Sequence, residues 1–530
     1  MGHVDCSDPD RMVCGALPRP DEPDFEGLVR ALAVFERAAA SPPAPPSTRS
    51  GPHALGYLIS GLTDPDRLLR GAIALERAAE RGRDGGAFSD LAAVFLVRGE
   101  LREDPLDLLR AVSAAQAAVA LDPALPEARF NLALALDQLG IRSGGRTAWL
   151  DYLEVDGASP WGGEARRRHR ALGSTGHRDA VHDRRAERER ALDELLPAWA
   201  AHLQAGRVLA ARETLASAFD VGRALASTPP AGPPAGDASI RDTVNAIRQA
   251  PPEAQRRFAR GLSAYREGLD LARRDDHQAS ARELERAART LAGTPLGSWA
   301  TVGRAYGFFQ QGRYEEADRV LAELERSLDG ERYPALLGRV RWIRGTIAIL
   351  QDRPAEAFAA YHASMGAYDR AGEASSRLAV EMRWVAARAS QGAREEAWRR
   401  RLEVLREAAV LSPPADLRVL HTEAGQAALE SGFPEASLHF LNEALRHLQA
   451  SGDRGAEVAG RRWRAAAGLR IGRRKEALED LAQARAALSA IVDPLHRTLL
   501  SAEIEAQEGR LLAEMDPGRA VASLTAAIAR

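Results

Sequence analysis

Five short segments of this 530-residue chain echo one another at a fixed distance. "GRYEEADRVLAEL" begins at Gly312, "DRPAEAFAAYHAS" at Asp352, "GAREEAWRRRLEV" at Gly392, "GFPEASLHFL" at Gly432 and "GRRKEALEDLAQA" at Gly472, so their first residues stand 40 positions apart. Five residues on come Ala317, Ala357, Ala397 and Ala477, with Ala436 one place early; Leu321, Tyr361, Leu441 and Leu481 follow in the same register. A period of this length confines the chain to a stack of like units, because one unit cannot bury its own apolar face. Each unit reads as two helices around a tight turn. Glycine or aspartate tolerates the turn conformation. The acidic pairs Glu315–Glu316 and Glu395–Glu396 complement the dipole at the start of the next helix. The alanine lets two helices approach, and the large residue four places later fills the gap between neighbouring pairs.

An earlier copy runs at a shorter period. "AVSAAQAAVALDP" places small residues at Ala111, Ala115 and Ala118 before Pro123, and "FNLALALDQLG" with "GGRTAWLDYLEVD" repeats the phase 34 residues on, from Ala111 to Gly145. This spacing resembles the tetratricopeptide repeat (TPR), although the tryptophan and tyrosine of that repeat's first helix are mostly missing. The expected fold is all-α: a right-handed α-solenoid of TPR-like helix-turn-helix units, about nine or ten pairs in two arrays. An aromatic content of 5% agrees, since a core of alanine and leucine suits packed helices better than a β-sandwich.

Composition shifts divide the chain. Residues 1–52 form an N-terminal segment with one short helix and the Pro-rich stretch "SPPAPPSTRSGP"; 53–170 hold the first array; 171–250 are a charged connector containing the Pro-rich linker 227–237; 251–530 hold the 40-residue array, its last repeat incomplete. The mixed-sign run "EARRRHRALGSTGHRDAVHDRRAERER" is expected to be a solvated helix face plus a loop.

The function classes narrow in parallel. A net charge of −2 gives no electrostatic reason to expect nucleic acid or an anionic membrane, and no apolar run approaches a membrane span. Cys6 and Cys14 lack a CxxC partner or a histidine cluster, so the expected setting is reducing and cytoplasmic, without metal or cofactor. No phosphate loop, HExxH, GxSxG or SxxK occurs, which points away from an enzyme. His421, His439 and His447 lie close in sequence without a carboxylate or cysteine at ligand spacing; His169, His177 and His182 sit in the charged run.

A binding surface remains. First helices of such stacks line a groove. Arg304, Arg344 and Arg464 share the 40-residue register, with Trp384 taking that phase between them. Spaced arginines there would clamp the carboxylates of a peptide; the competing expectation is that each pairs with a glutamate on an adjacent helix. Trp299 and Tyr306 join the candidate groove, or else pack between repeats.

Three further stretches, "AWLDYLEVDGASPWGGEARRR" at 148–168, "RRFARGLSAYREGLDLARRDDHQASARELERAARTL" at 256–291 and the terminal "AEMDPGRAVASLTAAIAR", resemble the repeat halves of bacterial TPR–CHAT proteins, in which a helical array precedes a caspase-like peptidase domain. No βα pattern with a histidine–cysteine dyad follows here, so no catalytic residue is carried over. The resemblance implies a protein-binding scaffold, the sensing or regulatory array of a CHAT-type system, with a protein or peptide in its groove. The alternative is the helical sensor half of a signalling or transcription regulator, binding a small effector. Residues 500–530, read as an unfinished repeat, are expected to fray or to mediate self-association.

Overall fold

The computed structural model describes residues 84–102, 104–173, 184–227, 236–411, 414–448, 454–491, 494–513 and 517–529, with isolated positions between 72 and 79. The expectations for residues 1–52, including Cys6 and Cys14, for His177 and His182, and for most of the Pro-rich linker 227–237 fall outside these residues. Every regular element among the described residues is helical. The first array holds α1 (Gly85–Arg102), α2 (Pro105–Leu121), α3 (Pro126–Gln138), α4 (Arg142–Asp156) and α5 (Pro160–Gly173). The connector holds α6 (Arg184–Arg190), which runs through a π turn at Ala191–Leu195 into α7 (Leu196–Gln204), then α8 (Val208–Ala226) and α9 (Ser239–Gln249). The long array follows as antiparallel pairs: α10 (Pro252–Arg273) with α11 (His277–Thr290), α12 (Pro295–Gln310) with α13 (Tyr314–Ser327), and α14 (Pro334–Leu350) with α15 (Pro354–Ala371). It continues with α16 (Ala374–Ser390) and α17 (Arg394–Leu411), α18 (Pro414–Glu430) and α19 (Pro434–Leu448), α20 (Arg454–Arg470) and α21 (Arg474–Leu488), and α22 (Pro494–Leu512) and α23 (Pro517–Ala529). This is the TPR-like α-solenoid that the periods predict.

The turn chemistry explains the register. Gly312, Gly392, Gly432 and Gly472 adopt φ of 73°, 93°, 89° and 77°, and Asp352 takes the same left-handed conformation at 56°. That region suits residues without a Cβ, or with a short polar side chain. Proline opens α14, α15, α18, α19, α22 and α23, where its missing N–H costs no helical hydrogen bond.

The packing follows from the small-and-large alternation. Ala317, Ala357, Ala397 and Ala477 are at most 1% exposed. A Cβ added at Gly345 would lie 2.8 Å from the Tyr361 ring, and one at Gly425 would lie 2.6 Å from Leu441, so each first helix rests directly on the large residue of its partner. Burying Leu441 completely contributes roughly 1.5–3 kcal/mol. A buried serine stitches the same crossing in three pairs: the hydroxyls of Ser280, Ser364 and Ser437 donate to the carbonyls of Gly268, Gly338 and Gly425 at 2.8, 2.7 and 2.7 Å.

The aromatic side chains of the 148–168 segment point inward, while Leu150 and Val155 stay exposed. Phe130 receives Trp149, Tyr152 and Trp161 edge-on, with ring centroids 5.0, 5.3 and 5.5 Å away. Arg168 pairs with Asp137 and Glu164 at 2.9 and 2.7 Å.

The two arrays also meet in space. α2 packs on α17 and α19, and α4 packs on α19. Phe130 and Trp149 share one apolar core with Trp398, Leu402 and Phe440. Ser113 donates to Glu435 at 2.8 Å, the Ser143 amide to Glu443 at 3.1 Å, and Arg406 to the Gln138 carbonyl at 3.1 Å. Periodicity carries no information about this seam.

Candidate functional site

The connector supplies the unexpected element. The charged run was expected to be solvated, yet Arg188 on α6 is 8% exposed. Its guanidinium donates to both oxygens of Glu373, at 2.6 and 3.1 Å, and lies 4.6 Å over the Trp299 ring. Ser376 donates to the same carboxylate at 2.8 Å. Arg185, one helical turn earlier, pairs with Glu189 at 2.7 Å and Asp416 at 2.5 Å. A mixed-sign helix can be buried when each charge finds a fixed counter-charge. Here the counter-charges come from residues at the starts of α16 and α18.

Beneath α6 lies a cavity of about 380 Å³. Its walls come from α10, α12, α14 and the π turn. Tyr265, Trp299, Tyr306, Trp342 and Tyr368 supply aromatic surface, and Leu192, Leu269 and Val302 supply aliphatic surface. Trp299 and Arg339 occupy one position of the 40-residue register, and Val302 and Trp342 another, so the lining is itself a repeat feature.

The charges divide unevenly. Arg185, Arg188, Arg273 and Arg339 line the space together with Glu189 and Asp193. Arg273 is held by Asp193 and Asp270, both at 2.7 Å. Arg339 differs: it packs 4.3 Å from the Trp342 ring and 5.4 Å from the Tyr306 ring, and pairs with no carboxylate among the described residues. Trp299 has a buried indole N–H without an acceptor among them. Burial works against ionisation of Glu373, but Arg188 outweighs it and holds the carboxyl below its usual range. At Asp416 and Asp193 burial prevails over Arg185 and Arg273, and both carboxyls are pushed up. Burial raises the Tyr368 phenol to about 12.

The residues proposed from sequence separate into two groups. Trp299 and Tyr306 both line the cavity. The arginines of the other register do not. Arg304 lies 3.6 Å from Glu285; Arg344 bonds Asp318 and Glu325 at 2.8 and 2.7 Å; Arg464 pairs with Asp480 and donates to Asn442 at 2.9 Å. Each faces a carboxylate on an adjacent helix. Trp384 packs edge-on against Phe358 with centroids 6.4 Å apart. Arg339 and Trp342 were missed. The signal was available in the 40-residue step from Trp299 to Arg339.

The histidines lie elsewhere, by the seam between the arrays. His421 and His447 have ring centroids 5.9 Å apart, and His447 lies 3.9 Å from Glu443. Desolvation holds His439 down at about 4, with Arg473 acting in the same direction; burial also lowers His421 and His447, against the pull of Glu443. Among the described residues no group of three or more histidine, cysteine, aspartate or glutamate side chains is placed to hold a metal, and no helix is long and apolar enough to cross a membrane.

No protein-family model matches the chain, and no curated protein does. Solved structures are similar at the level of the chain's length. The APC/C hetero-tetramer Cut9–Hcn1 is 12% identical, covering 94% of this chain and 96% of that one at a TM-score of 0.39. Yeast Tom70 is 13% identical, with coverage of 91% and 96% and a TM-score of 0.30. The P58(IPK) TPR domain is 14% identical, with coverage of 88% and 98% and a TM-score of 0.20.

Proposed function

We propose that this chain is a non-catalytic binding scaffold, holding a protein or peptide against the first helices of its long array. The observation that carries the reading is the wall formed by Arg339 and Trp342 on α14 beside Trp299 and Tyr306 on α12. It sets a guanidinium without an ion pair among the described residues beside the partly exposed rings of Tyr306 and Trp342, a composition suited to recognition. The finer reading is the sensing array of a CHAT-type peptidase system; the sequence at 148–168 and at the C-terminus supports it. A second reading, a small effector in the same place, is favoured by the cavity's volume, which lies at the low end for small-molecule sites.

The test uses the full chain against a random peptide display library and, separately, a panel of small metabolites in thermal shift. Ligands whose affinity falls at least tenfold in Arg339→Gln, in Trp342→Ala or in both support the reading. A ligand set indifferent to both substitutions overturns it. Enrichment in the peptide arm or the metabolite arm decides between the two readings.

A further inference from the structure

Resting on that reading, we infer that the cavity beneath α6 takes a ligand carrying an aromatic ring and a single carboxylate, the carboxylate on Arg339 and the ring against Trp342 and Tyr306. Two features converge on this chemistry.

The first is the state of the arginines. Arg188 is engaged by Glu373, Arg185 by Glu189 and Asp416, and Arg273 by Asp193 and Asp270. Arg339 alone among the four forms no ion pair among the described residues; two ring faces hold it, and Asp416 acts on it only at longer range. A guanidinium stacked on aromatic rings spends its faces and keeps its in-plane N–H donors free, the geometry that receives both oxygens of a carboxylate.

The second is the balance of size and charge. The volume of 380 Å³ holds a small molecule and not a folded segment. Glu189 and Asp193 also line the space, so a polyanion would meet repulsion where one carboxylate meets a single unpaired cation. The remaining walls, Leu192, Leu269 and Val302 with the tyrosines, are apolar and suit a ring.

The same chemistry occurs in a free arene carboxylic acid and in a peptide ending in phenylalanine or tryptophan. The experiment therefore titrates the full-length chain, by calorimetry, with indole-3-propionate, its neutral amide, the tripeptide Gly-Gly-Phe, the same tripeptide amidated, and pyrophosphate. Binding of a free acid, with the matching amide weaker by at least tenfold and pyrophosphate without effect, is the expected result. Arg339→Gln should weaken the acid at least tenfold. Arg353→Gln, an exposed pair with Glu356 away from the cavity, should leave it unchanged. Circular dichroism of both variants controls for folding. Preference for indole-3-propionate over Gly-Gly-Phe names a small effector; the reverse names a peptide terminus. Equal binding of acid and amide, binding that survives Arg339→Gln, or no binding of any acid at millimolar concentration overturns the inference. Display-selected peptides that still depend on Trp342 would then leave the scaffold reading standing by itself.

Discussion

Arg188 and Glu373 lie 185 positions apart in sequence, yet their side chains form a two-pronged ion pair with N···O distances of 2.6 and 3.1 Å, 9% and 2% exposed. The pair ties the connector to the start of α16, and Arg188 lines the cavity. Removing one member strands the other charge in the interior. Arg188→Met should therefore destabilise the chain by about 3–5 kcal/mol in chemical denaturation, and Glu373→Gln by a comparable amount, while the double substitution recovers much of the loss. A double-mutant cycle with additive effects would contradict the pairing.

Acid should loosen the seam between the arrays. His421, His439 and His447 have lowered pKa values, and His439 falls to about 4, so each is neutral in the fold and takes up a proton more readily when unfolded. Their contribution is complete above the unfolded value near 6.5 and is lost as the pH falls below it, for His439 down to about 4. Glu373 adds in the same direction: its lowered carboxyl contributes above about 4.3 and loses that contribution as pH falls further. A melting temperature that drops between pH 7 and 4.5, and drops less in His439→Leu, is the expected observation.

The turn residues offer a substitution whose effect is confined to the backbone. A Cβ at Gly432 meets nothing within 4 Å, so Gly432→Ala should cost about 1–2 kcal/mol through its left-handed φ alone. Asp352 already bears that cost, and Asp352→Gly should be neutral to mildly stabilising in the same denaturation assay.

Gly345→Ala tests the close crossing instead. The new methyl meets the Tyr361 ring at 2.8 Å, and overpacking of this kind costs about 1–3 kcal/mol. Tyr361→Leu in the same chain should relieve part of it.

Apolar side chains stay in water on α23. Val521 is 65% exposed and Ile528 87%. Replacing both with glutamate should reduce concentration-dependent light scattering; scattering unchanged by the double substitution would contradict self-association through this helix.

The repeat was legible because its punctuation is chemical. Gly312, Asp352, Gly392, Gly432 and Gly472 mark left-handed turns whatever surrounds them. The same mark identifies the α7–α8 pair: "QAGRV" at 204–208 parallels "QQGRY" at 310–314, and Gly206 has φ 72°. Its weaker acidic pattern left that pair inside the irregular connector at the level of sequence. The arginine register at 304, 344 and 464 was real but faced the partner helix. Arg339 is five residues from Arg344, about 140° around the helix, and so points to a different neighbour. Arg188 was unreadable for another reason. Its fate depends on Glu373 and Trp299, and nothing local to "RRAERER" encodes partners more than 100 residues away.

The core shared by Phe130 and Phe440 sets a timetable for biosynthesis. Residues 310 positions apart must both have left the ribosome before that core can close, which takes about 15–60 s at bacterial and eukaryotic elongation rates. Throughout that interval the nascent N-terminal repeats display the surface destined for α17 and α19.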